Sequence, residues 1–144
     1  MKVSEIMTTP IEEMIDKDTV ISAARKMKDL NVGALPVKTG ENRLQGIVTD
    51  RDIVVRVLAE GKDPEETRIS EIMSKGIISC TEDQTPEEAA AIMADAKVRR
   101  LVVVDNEDKV VGILSLGDVA VKGAEKETVG ATVDKISRPA APAL

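Results

Sequence analysis

The 144-residue chain contains no histidine, no phenylalanine, no tyrosine and no tryptophan, and a single cysteine. Without histidine it lacks the commonest general base and metal ligand. Without aromatic rings it cannot build the stacking platforms that hold single-stranded nucleic acid. A net charge of −6 also opposes long-range attraction to nucleic acid or anionic lipid. The lone Cys80 excludes an internal disulfide and fits a reducing, intracellular home. No apolar run approaches the ~20 residues of a membrane span, and the start "MKVSEIMTTP" lacks the apolar core of a secretory signal. The expectation is a soluble, cytoplasmic protein.

The chain does contain itself twice. Sliding the sequence by 66 positions brings "SEIM" at 4–7 onto "SEIM" at 70–73 without a gap. The same shift brings Ala23, Ala24 and Met27 onto Ala89, Ala90 and Met93, and Gly46-Ile47 onto Gly112-Ile113. It also brings Asp52 onto Asp118. Two copies of one supersecondary unit are present. In each, Ser4 or Ser70 is a candidate N-cap for a short helical turn. A short apolar strand follows, containing Ile11 in one copy and Ile77-Ile78 in the other. An amphipathic helix comes next, behind Asp18 and Thr19 in copy one. In copy two Thr85 is the N-cap, Pro86 the first helical residue, and Glu87 and Glu88 suit the positive helix end. Two strands joined by the turns "KTGEN" or "DNED" lead into a closing helix, "RDIVVRVLAEG" or "LGDVAVKGA".

The expected fold class is α+β: two β-α-β-β-α units related by a pseudo-twofold axis and packed sheet to sheet, since neither half has much core alone. The expected division is unit one over 1–60, a charged linker over 61–68, unit two over 69–123, and a C-terminal segment over 124–144. In that last segment "VDKIS" at 133–137 echoes the "SEIM" turn, and "SRPAAPAL" reads as a loose tail.

The ordered motifs "SEIM", "NVGALPV", "GIVTDRD", "VRRLVVVD" and "GILSLGD" resemble a tandem pair of cystathionine-β-synthase (CBS) domains, a Bateman module. The likeness covers residues 1–122 and is similar to small stand-alone bacterial CBS-domain proteins of the hypoxic-response type. The resemblance implies an adenosine-containing ligand bound in the cleft between the units, and flat, disc-shaped homodimers. Adenine nucleotides (AMP, ADP, ATP) and S-adenosylmethionine are the implied regulatory ligands, with no catalytic cofactor. The resemblance does not choose among them, nor between the two clefts.

Residue chemistry can be set beside that likeness. Thr49 and Asp52, like Ser115 and Asp118, stand three apart where a strand enters a helix. Two readings fit. The carboxylate can accept hydrogen bonds from both hydroxyls of a ribose, as acidic residues do in dinucleotide folds, while the Thr or Ser hydroxyl holds the ribose or first phosphate. Alternatively the pair is a capping box, although that box prefers the longer Glu or Gln. Arg99 and Arg100 open an otherwise apolar strand, and their counterparts are Gly33 and Ala34. They are either solvated charges or, by the resemblance, phosphate ligands, a task that suits a planar guanidinium. Neighbouring strand residues face opposite ways, so one arginine at most looks into a given cleft. A base pocket has to be aliphatic, and Ile11, Ala34, Leu35, Ile77, Ile78 and Leu101 are its candidates.

The leading expectation is a non-catalytic module that senses an adenosyl ligand and signals through a conformational change, its dimer or an unidentified protein target. A scaffold or dimerisation module with vestigial pockets is the alternative. No nucleophile–base pair, metal cluster or Walker-type loop supports an enzyme. Cys80, with no activating neighbour in sequence, reads as a packed or half-exposed thiol.

Overall fold

Helix α1 (Val20–Leu30) begins where the sequence places it, with the Thr19 hydroxyl accepting the Ser22 N–H at 3.4 Å. Helix α4 (Pro86–Ala96) begins on a full capping box. The Thr85 hydroxyl accepts the Glu88 N–H at 3.2 Å, and Glu88 Oε1 accepts the Thr85 N–H at 3.3 Å. These bonds satisfy donors that a helix start leaves orphaned. Both helices stop on a residue in the left-handed region, Asn31 and Lys97, each at φ 55°. The structure, a computed structural model, describes residues 1–9, 11–41, 43–123 and 126–137.

Strands β1 (Met14–Ile15), β2 (Ala34–Lys38) and β3 (Leu44–Thr49) form one sheet in that order, β1 parallel and β3 antiparallel to β2. Strands β4 (Ser79–Thr81), β5 (Arg100–Val104) and β6 (Val110–Ser115) repeat the arrangement. The central strands are buried along nearly their whole length, which explains their unbroken apolar runs. The fold is thus α+β, with two three-stranded sheets.

Two local expectations are corrected. The first strand of each sheet starts beyond Ile11 and Ile77-Ile78, at Met14 and Ser79. β1 is also shorter than β4, and Pro36 supplies the reason. The Val102 N–H donates to the Ile78 carbonyl at 3.2 Å, whereas Pro36, its counterpart, has no N–H to donate. Ser4 and Ser70 are not N-caps, because they lie inside the turns Val3–Glu5 and α3 (Ile69–Ile72). Their N–H groups donate to the Glu82 and Asp16 carbonyls. Glu5 and Glu71 carboxylates instead accept the N–H of the residues before each turn, Lys2 at 2.6 Å and Arg68 at 2.7 Å.

The closing helices are mostly π-helical. After α2 (Asp50–Ile53) the wider turn spans Val54–Leu58, and after α5 (Leu116–Asp118) it spans Val119–Gly123. The "VDKIS" echo belongs to a longer helix, α6 (Lys126–Ser137), whose Val129 and Ile136 pack against the core that also holds α4 residues Ala89, Ala90 and Met93. Residues 138–144 of the expected tail lie outside the described residues, as does Asn42 of the "KTGEN" turn.

Contacts divide the chain into two compact units that cut across the sequence repeat. One, the central unit, is Glu12–Ile77; the other, the split unit, joins Met1–Ile11 to the chain from Ile78 onward. Each "SEIM" segment therefore folds onto the sheet of the other copy. Val3 and Ile6 share a core with Leu101, Val103 and Leu114. Ile69, Ile72 and Met73 share one with Leu35, Val37 and Val48. Thr8 bridges to Ile113 on β6, and Ser74 bridges to Ile47 on β3.

Candidate functional site

Each sheet ends in a strand that turns directly into a helix. In the central unit the Asp50 N–H donates to the Gly33 carbonyl at 2.9 Å, tying the helix start to the head of β2. In the split unit the Leu116 N–H makes the same bond to the Arg99 carbonyl at 2.8 Å. Both corners form complete capping boxes. Thr49 Oγ1 accepts the Asp52 N–H at 3.1 Å, and Asp52 Oδ2 accepts the Thr49 N–H at 2.9 Å. Ser115 Oγ accepts the Asp118 N–H at 3.0 Å, and Asp118 Oδ2 accepts the Ser115 N–H at 3.0 Å. The shorter aspartate thus fills the place usually taken by glutamate.

The exchanged segments add a second hydroxyl to each corner. Ser74 Oγ donates to Asp52 at 3.2 Å from Oδ1 and 3.4 Å from Oδ2. Thr8 Oγ1 donates to Asp118 Oδ2 at 3.2 Å. Sequence reasoning missed both residues, although a hydroxyl follows each "SEIM" at the same 66-residue offset. Glycine makes the close approach possible. A Cβ on Gly46 would sit 2.6 Å from the Ser74 carbonyl oxygen, and one on Gly112 would sit 2.5 Å from Met7 Sδ.

The corners differ in charge. Asp52 is 7% exposed, and Arg56, one helical turn on, holds its Nε 3.8 Å from Asp52 Oδ1. The same guanidinium donates from Nη1 to the carbonyls of Ile72 at 3.0 Å and Met73 at 3.4 Å. Arg56 also went unmarked in the sequence, where only its spacing from Asp52 pointed to it. Its repeat counterpart is Lys122, exposed and without a hydrogen bond or ion pair among the described residues. Asp118 is half-buried, and its Oδ1 accepts nothing among the described residues.

Arg100 stands directly opposite Ser115 in the β5–β6 ladder, so the two side chains share one face of the sheet. Arg99 is exposed and precedes the strand. Neither guanidinium has a hydrogen bond or ion pair among the described residues. In the central unit, Ala34 stands opposite Thr49 and offers no charge. The aliphatic candidates separate. Leu35 and Leu101 are committed to the two cores, at 1% and 0% exposure, and Ala34 is nearly covered. Ile11, Ile77 and Ile78 are half-buried, and Ile78 packs against the split unit's core.

Cys80 is buried, and desolvation pushes its thiol up to about 11, the behaviour of a packed residue rather than a nucleophile. Among the described residues no group of three His, Cys, Asp or Glu could hold a metal ion, and no helix is long and apolar enough to cross a membrane.

The CBS domain family matches this chain twice, over residues 3–59 and 69–124. The chain is 39% identical to the CBS domain-containing protein YhcV of Bacillus subtilis over 94% of each chain. It is 33% identical to hypoxic response protein 1 of Mycobacterium tuberculosis, over 81% of this chain and 80% of that protein. Among solved structures it resembles a CBS domain pair in complex with 5′-methylthioadenosine and S-adenosyl-L-methionine. That likeness has a TM-score of 0.73 and 28% identity, over 83% of this chain and 93% of that one.

Proposed function

The chain belongs to the CBS domain family, and from that premise we propose that it is a non-catalytic regulatory module. It binds an adenosine-containing ligand of the AMP, ADP, ATP or S-adenosylmethionine class at a strand-to-helix corner and signals by a conformational or dimer change. One observation carries the reading: a carboxylate stands at the head of a helix twice, at matching register, in a family with a member solved around two adenosyl compounds. A ribose offers two adjacent hydroxyl donors, and a carboxylate oxygen fixed in place by its own backbone bond is a pre-oriented acceptor for them. Ligand binding shifts a conformational balance only by its preference for one state. The π-helical turns that follow each carboxylate are the elements placed to register that preference, since such turns interrupt regular helices at functional sites.

A homodimer is part of the proposal. Val54, Val55 and Leu58 on one closing helix and Val121 on the other are 54%, 45%, 61% and 82% exposed, a cost in water that a second copy would remove.

The finished capping boxes favour a second reading, a scaffold module whose corners serve only their own helices. Spectroscopy separates the two. With no tryptophan or tyrosine, the pure protein barely absorbs where proteins usually do, and a retained adenine compound shows as an isolated ultraviolet band. Heat-released ligand identified by mass spectrometry, or a melting temperature raised by one of the four named compounds, supports sensing. At a hundredfold excess over Kd the gain is about 2.7 kcal/mol. No adenine band and no shift with any of the four leaves the scaffold reading.

A further inference from the structure

We infer that the two corners are not equivalent: the Asp118 corner takes the ligand, and the Asp52 corner is closed by the chain's own Arg56. The inference rests on the adenosyl-ligand proposal and deepens it by naming the site.

At Asp52 both carboxylate oxygens are already engaged. Oδ2 accepts the Thr49 N–H, the Ser74 hydroxyl lies within reach of both oxygens, and the Arg56 guanidinium faces Oδ1. A ribose arriving here has to displace a cation that is itself anchored on two backbone carbonyls, Ile72 and Met73. Those two carbonyl bonds hold the guanidinium in place beside the carboxylate although its side chain is 52% exposed. The carboxylate is also covered, at 7% exposure. At the head of β2, Gly33 and Ala34 supply no charge for a phosphate or other anionic group, and Arg51 beside Asp52 is exposed on α2.

At Asp118 each of these terms reverses. Among the described residues both hydrogen bonds fall on Oδ2, which leaves Oδ1 to accept. The carboxylate is half-buried rather than covered. The residue at the Arg56 position is Lys122, a flexible point charge that does not reach the carboxylate in this structure. Arg100 stands opposite Ser115 on the same face of the sheet, with its guanidinium unengaged among the described residues. A carboxylate oxygen with no partner among the described residues and a guanidinium on the facing strand thus accompany one corner and are both missing from the other, where Ala34 stands in place of Arg100 and the exposed Arg51 lies on the helix instead. Arg56 acts as a built-in plug, and the repeat keeps two structural corners but one receptive site.

The test is calorimetric titration of the full chain with AMP, ADP, ATP and S-adenosylmethionine, repeated on Asp118→Asn and Asp52→Asn with whichever compounds bind. Asparagine keeps an oxygen for the backbone N–H of the capping box, so both variants retain that bond. Asp118→Glu stands in should Asp118→Asn fail to melt like the parent. The expected result is one molecule per chain, an affinity lowered about tenfold or more in the Asp118 variant, and a change within about threefold in Asp52→Asn. Two equivalent molecules per chain, or loss in Asp52→Asn with retention in Asp118→Asn, overturns this inference while leaving the adenosyl-ligand proposal intact. Binding of none of the four compounds to the parent chain overturns both.

Discussion

Gly46→Ala is the perturbation that most sharply probes the exchange of the "SEIM" segments. An added Cβ would lie 2.6 Å from the Ser74 carbonyl oxygen and 3.1 Å from Met73 Sδ. The first contact is with backbone, and real Cβ atoms do not approach an oxygen that closely, so the 73–74 segment has to move off β3. Two backbone bonds hold it there, Ile47 N–H to the Ser74 carbonyl at 3.0 Å and Ser74 N–H to the Ile47 carbonyl at 2.9 Å. At about 0.5–1.5 kcal/mol each, their loss costs ~1–3 kcal/mol. The Ser74 hydroxyl leaves Asp52 with them, adding about 1 kcal/mol, and a smaller unfolded-state gain of ~0.4–1 kcal/mol from replacing glycine offsets part of the total. The expected net loss is about 2–3 kcal/mol. Gly112→Ala meets mainly the Met7 side chain, at 2.5 Å from Sδ and 2.9 Å from Cγ, and the Thr8 carbonyl only at 3.2 Å. A methionine can swing aside, so ~1–2 kcal/mol is expected there, within the range of overpacked cores. Urea denaturation of parent and variants measures both. A Gly46→Ala variant within about 0.5 kcal/mol of the parent, or one more stable than Gly112→Ala, refutes the packing argued for these segments.

Other consequences follow from single residues. Lys97 ends α4 at φ 55° with a side chain that disfavours this conformation, so Lys97→Gly should raise stability by about 0.5–1 kcal/mol in the same denaturation assay; a decrease contradicts the assigned cap. The Cys80 thiol, raised from 9.0 to about 11, favours the neutral form when folded. Its contribution is intact below pH 9.0 and is lost as pH rises towards about 11, so Cys80→Val should flatten that alkaline fall in melting temperature, and a variant with an unchanged fall counts against it. Asp105 accepts the N–H groups of Glu107 and Lys109 at 2.8 and 3.0 Å, which lower its pKa from 3.8. Its stabilisation is present above that value and fades as pH falls below it. Asp105→Ala should therefore speed hydrogen exchange at the Glu107 and Lys109 amides, and unchanged exchange would show that the carboxylate does not order the turn.

Much of this architecture is written locally. Thr19 and Thr85 mark their helices because a hydroxyl before an amphipathic run has few other roles, and the 66-residue offset announces the doubled unit. The corner carboxylates were legible as well, together with both of their possible roles, and the capping role is the one the structure displays. What was hidden depends on partners distant in sequence. That Val3 and Ile6 pack beneath Leu101, and Ile69 beneath Leu35, is a matter of pairing, which identical "SEIM" segments cannot encode by themselves. Ser4 and Ser70 mimic N-caps, but their N–H groups are claimed by carbonyls 78 and 54 residues away. Leu35 and Leu101 occupy strand starts that pattern alone leaves open to core or pocket, and the cores take them. The π-helical turns leave no compositional trace, because their residues would suit an ordinary helix equally well. Pro36 did carry a signal for the short β1, readable only once its neighbouring strand is known.

The most direct measurement of the central claim is a structure of the chain saturated with a compound that binds it. The account predicts ribose hydroxyls within hydrogen-bonding distance of Asp118 Oδ1, the charged end of the ligand turned towards Arg100, and Arg56 still seated against Asp52. A ligand resting elsewhere, with Asp118 bonded to Ser115 and Thr8 alone, would contradict it.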